Sequence, residues 1–251
     1  MDDNRLGIYN ESVRSLMRSN NIAKVDYGSF QLRNVCRSFL HGQDGKTAVK
    51  RLLALPQTDK GDALAIGNAT EAERLAGFQR SLYKCTKLYE GARLTQNDQD
   101  EISALPSVLR YRAVLNSLRN AKTFDGAETL AALSDAASGP LFGALSSLLS
   151  SKVDYTELVN AYGKEQIDAL RSLTIPLVLC RMGDDCGPGG TVTEQLCWEN
   201  GICGDYVDGA IFANLRDRGL DTVAYNRFVT NVHQALLTRD TSIFRKQKPT
   251  K

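Results

Sequence analysis

The stretch Leu179–Asp205, LCRMGDDCGPGGTVTEQLCWENGICGD, constrains this chain more than any other. It holds four of the six cysteines and the single tryptophan, Trp198. Its halves echo each other. Cys180-Arg-Met-Gly-Asp-Asp-Cys186-Gly is matched by Cys197-Trp-Glu-Asn-Gly-Ile-Cys203-Gly, a Cys-x5-Cys-Gly unit used twice. Structural zinc sites pair their ligands two to four residues apart, so this spacing argues against a metal. Redox dithiols take Cys-x-x-Cys at a helix N-terminus, which these units also lack. The units read instead as two helix ends locked by disulfides. Spacing leaves the pairing open between local loops, Cys180–Cys186 with Cys197–Cys203, and a staggered set, Cys180–Cys197 with Cys186–Cys203. The remaining two cysteines, Cys36 and Cys85, are candidates for a third bridge.

An even number of cysteines favours an oxidising compartment. The start, Met1-Asp-Asp-Asn, has neither the basic opening nor the apolar core of a signal peptide. The expectation is a periplasmic or secreted protein whose signal has been removed; the competing reading is a cytoplasmic chain with six free thiols. No run approaches the ~20 apolar residues of a membrane span. Hydrophobic content of 42% and charged content of 24% suit a globular fold.

Apolar residues recur at helical spacing almost throughout, and alternating β-branched runs are missing. The expectation is an all-α chain of about ten to twelve short amphipathic helices, in an irregular bundle or array stapled by disulfides. Thr70 to Gly91 is the longest helix of the first half, with Leu75, Phe78, Leu82, Cys85 and Tyr89 on its buried face. Gly126 to Lys152 reads as a helical hairpin broken at Gly139-Pro140, and Pro176 should kink or divide the helix that ends at Cys180. Tyr206–Arg218 and Asp221–Arg239 follow, with Gly219 as C-cap and Asp221 as N-cap.

Charge divides the chain. Residues 1–123 carry 19 Lys/Arg against 13 Asp/Glu, and residues 124–244 carry 8 against 16. This suggests a basic half (1–123), an acidic half (124–239) holding the Cys-rich hairpin 179–205, and a basic, disordered tail (240–251); a single domain fits equally well. Within the acidic half, Asp184, Asp185, Glu194, Glu199, Asp205 and Asp208 form a candidate loop for docking a partner. The loop lacks the alternating ligand positions of a calcium site.

Catalytic signals are scarce. Only His41 and His233 are present, and no nucleophile elbow, phosphate loop or dinucleotide fingerprint appears. A muramidase-like enzyme would need a carboxylic acid of raised pKa in a cleft, for which Glu194 and Glu199 are the nominal candidates. Arg110, Arg112, Arg119 and Lys122 around Tyr111 form a basic segment without a nucleic-acid-binding motif, so a solvated face is preferred there.

The Cys-x-x-Gly-x-Asp-Cys and Cys-x3-Gly-x-Cys pieces at 180–186 and 197–203, with Leu109-Arg-Tyr-Arg-Ala-Val-Leu115, resemble patterns in uncharacterised exported bacterial cell-envelope proteins. The resemblance implies an α-helical, exported bacterial protein and brings no activity, cofactor or catalytic residue. The expectation is therefore a non-enzymatic envelope or secreted protein that binds another protein, for effector neutralisation or assembly support. A helical cell-wall glycan hydrolase and a cytoplasmic nucleic-acid binder are the alternatives.

Overall fold

The computed structural model describes residues 65–89, 125–135, 145–150 and 152–244, with isolated positions between 104 and 116. The helices expected in residues 10–55, the Cys36–Cys85 bridge, His41 and the basic segment Arg110–Lys122 lie outside the described residues, as does the side chain of Cys85.

The described chain is helical. Eight α-helices are present among these residues: α1 Glu71–Tyr89, α2 Gly126–Asp135, α3 over residues 145–150, α4 Thr156–Tyr162, α5 Ile167–Arg181, α6 Thr191–Asn200, α7 Val207–Asp217 and α8 Val223–Thr238. The count is below the ten to twelve expected, because several of the expected helices fall where nothing is described. Among the described residues no helix is long and apolar enough to cross a membrane.

Local chemistry sets the helix starts. Thr70 and Glu73 form a capping box: the Thr70 N–H donates to Glu73 Oε2 at 2.7 Å, and the Glu73 N–H donates to Thr70 Oγ1 at 3.3 Å. Asp125 Oδ1 accepts from the Glu128 N–H, Asp154 Oδ1 from the Thr156 N–H, and Asp221 Oδ1 from the Val223 N–H. These carboxylates cover amides at the starts of α2, α4 and α8 that would otherwise lack partners.

Helix α5 is the hub, packed against α4, α7 and α8. It buries Leu170, Leu173, Thr174, Ile175, Leu177, Val178 and Leu179, so it is apolar almost all round. Pro176 neither divides nor ends it. Burying a large apolar side chain contributes roughly 1.5–3 kcal/mol. Several such residues flank Pro176, and together they outweigh the ~3 kcal/mol that proline costs a helix interior. From α8, Tyr225, Phe228, Val229, Val232 and Leu236 complete this core. The Tyr225 hydroxyl is buried beside α5 and donates to the Leu170 carbonyl at 3.0 Å.

Two expectations need correction. Leu82, placed on the buried face of α1, is 36% exposed. The buried positions there are Arg74, Gly77, Phe78 and Ser81, because α1 turns a guanidinium rather than a leucine stripe toward α6. Residues 240–244, placed in the expected tail, also carry defined structure. Asp240 accepts from the Ser242 N–H and caps a short 3₁₀ turn, Thr241–Ile243. The Asp154 N–H donates to the Ile243 carbonyl at 2.9 Å, and Phe244 forms an isolated antiparallel bridge with Val153.

Candidate functional site

The paired cysteine units form a hairpin around α6. Cys180 is bonded to Cys186 and Cys197 to Cys203, so both bridges are local and the staggered pairing is not adopted. Each joins the last turn of a helix to the chain that leaves it. At the end of α5, Gly183 takes a φ of 94° and the Asp184 N–H donates back to the Leu179 carbonyl. At the end of α6, Gly201 takes a φ of 70° and its N–H donates to the Cys197 carbonyl at 2.9 Å. Positive φ is what glycine tolerates and other residues resist, which explains the glycine inside each unit. Two disulfides suggest an oxidising, extracytoplasmic environment.

Helix α1 lies along α6 and supplies its counter-charges. Asp185 faces the first turn of α6. Its Oδ2 accepts from the Thr191 N–H at 3.0 Å and pairs with the Lys84 ammonium. A glycine-rich turn before a helix start can bind an anion, but here the chain's own carboxylate occupies that position. At the opposite end, the buried Arg74 donates through Nε to the Trp198 carbonyl at 3.0 Å and through a terminal nitrogen to the Glu199 carbonyl. A cation at a helix C-terminus complements the macrodipole. Burial lowers the Arg74 pKa, yet a guanidinium remains charged. Between these ends, Phe78 packs edge-on against Trp198 with ring centroids 5.2 Å apart.

The six carboxylates of the expected docking loop are not brought together on one exposed surface. Asp184 is buried and Asp185 is engaged with Lys84 and α6. Glu194 is 5% exposed; its Oε1 accepts from Arg80 Nε at 2.7 Å, and its Oε2 has no hydrogen-bond partner among the described residues. That hydrogen bond raises the Arg80 pKa. Glu199 is half-buried, and burial pushes its carboxyl up to about 7, against the opposing effect of the Gln195 amide that donates to both its oxygens. Asp208 is half-buried 3.8 Å from Arg181; burial raises its pKa and Arg181 opposes the rise. Asp205 alone of the six is exposed.

Sequence reasoning missed the cations of α1. Arg74, Arg80 and Lys84 lie more than 100 residues from the groups they meet, a distance over which helical periodicity gives no signal. It also missed a groove of about 450 Å³ between α4, α8 and residues 240–243, which contains neither Glu194 nor Glu199. Among the described residues no cluster of His, Cys, Asp and Glu could hold a metal ion. No family model, curated protein or solved structure matches the chain.

Proposed function

We propose that this protein is a non-enzymatic component of a bacterial envelope or secreted fraction that acts by binding another protein. The observation that carries the reading is the hairpin itself: two disulfide-closed helix ends, with Asp185 and Glu194 held by Lys84 and Arg80 of α1. Such an arrangement fixes shape in an oxidising compartment, and a rigid, preorganised surface lowers the entropy lost on association. Effector neutralisation and support of an envelope or secretion assembly are the roles it suits. The test is capture from a bacterial envelope extract by the immobilised, oxidised chain at low salt, followed by reconstitution with the purified partner. A stoichiometric complex is the expected result, and retention of no protein rejects the reading.

One observation favours a second reading. Burial pushes the Glu199 carboxyl up to about 7, the range that a general acid of a cell-wall glycan hydrolase uses. If that reading holds, the oxidised protein clears peptidoglycan and Glu199→Gln abolishes clearing. A parent protein without clearing activity removes it.

A further inference from the structure

The groove between α4, α8 and the 240–243 segment has a floor and a charge of its own. Phe228 and Val232 of α8, both almost fully buried, and Ile243 are among its lining residues. The carboxyl-bearing residues Asp154, Glu157 and Asp240 also line it, while no lysine, arginine or histidine among the described residues does. Of these, Glu157 pairs through Oε1 with Arg227 at 3.2 Å. The groove also meets the C-terminal turn of α8, which carries no basic residue. That end of the helix carries partial negative charge, and its C-cap residue is Arg239, between the lining residues Thr238 and Asp240. At about 450 Å³ the space accommodates a few side chains of an extended segment.

We propose that this groove docks a basic peptide segment of the partner, with one apolar side chain against Phe228 and Val232 and flanking lysines or arginines beside Glu157 and Asp240. The assignment rests on the protein-binding reading above and gives it a surface and a partner chemistry. Charge complementarity selects the occupant. A cationic segment gains from every ionisable group lining the groove, whereas an acidic one meets like charge on each side.

The probe is a fluorescein-labelled nonapeptide, six Lys/Arg residues around a central Leu-Phe pair and a glycine, measured by anisotropy against the full oxidised chain. Its counterpart with six glutamates is the control. Saturable binding of the basic peptide alone is expected, weakening with added salt. Glu157 and Thr238 are exposed, so Glu157→Lys and Thr238→Lys should keep the parent circular dichroism spectrum while weakening binding by about tenfold or more. Asp217→Lys, also exposed and outside the groove, should leave binding unchanged. Equal loss in Asp217→Lys, or no saturable binding by the parent, overturns the proposal. So does a tenfold gain when Arg245, Lys246, Lys248 and Lys251 are changed to serine, since the chain's own end would then be the occupant. In the envelope-extract experiment, a partner retained equally by the parent and Glu157→Lys rejects the groove while leaving protein binding standing. Capture by neither rejects the broader reading.

Discussion

Arg74 has the polar head of a surface residue and the burial of a core one, at 2% exposed. Its guanidinium supplies donors to two carbonyls at the end of α6, so truncation leaves acceptors without partners in a dry setting. Arg74→Met should therefore lower stability by about 2–4 kcal/mol in urea titrations. Arg74→Lys should recover only part, because a single ammonium cannot reproduce the guanidinium fork. An unchanged midpoint in Arg74→Met would show that water replaces the guanidinium without cost. Glu199 gives the second prediction at this scale. Its folded pKa of about 7 lies above the ordinary carboxylate value, so the folded chain binds the proton more tightly than the unfolded one. Stability is then greatest below the unfolded pKa and falls as pH rises from about 4.5 to about 7. Denaturant midpoints from pH 4 to pH 8 should fall for the parent and stay flatter for Glu199→Gln; parallel profiles would contradict this.

At the scale of elements, the disulfides and the glycines act on the same helix ends. The cysteine spacing and the glycine inside each unit made those ends legible in the sequence. So did Gly219, with a φ of 77°, and Asp221, which bonds the Val223 N–H. What stayed illegible is which face of α1 turns inward. Apolar periodicity gives weight to Leu82, whereas the packing is governed by an arginine whose partners are backbone carbonyls. Two of the carboxylates read as a docking surface, Asp185 and Glu194, are counter-ions of Lys84 and Arg80, which a sequence does not display at separations of 101 and 114 residues. Replacing Cys197 and Cys203 together by serine should cost about 2 kcal/mol, as the chain-entropy account gives for a loop this short. Far-ultraviolet circular dichroism should keep the helical signal, because Gly201 and Arg74 still terminate α6. Loss of all helical signal would mean that the bridge directs folding rather than trimming the unfolded ensemble.

For the whole molecule, the segment 240–244 closes the acidic half by pairing with residues 153–154 and covering Gly126, where an added Cβ would lie 2.6 Å from the Phe244 ring. Phe244→Ala should lower the unfolding midpoint by an amount equivalent to about 1–3 kcal/mol and increase hydrogen exchange at α2 and at residues 153–154. Exchange unchanged at both places would show that the closure is incidental. The cysteine pairing has a further consequence for how the chain matures. Each cysteine of the hairpin bonds to its neighbour along the chain, Cys180 to Cys186 and Cys197 to Cys203. A chain that emerges N-terminus first presents Cys180 and Cys186 before Cys197. Oxidation of these four thiols in chain order therefore yields both native bonds without reshuffling.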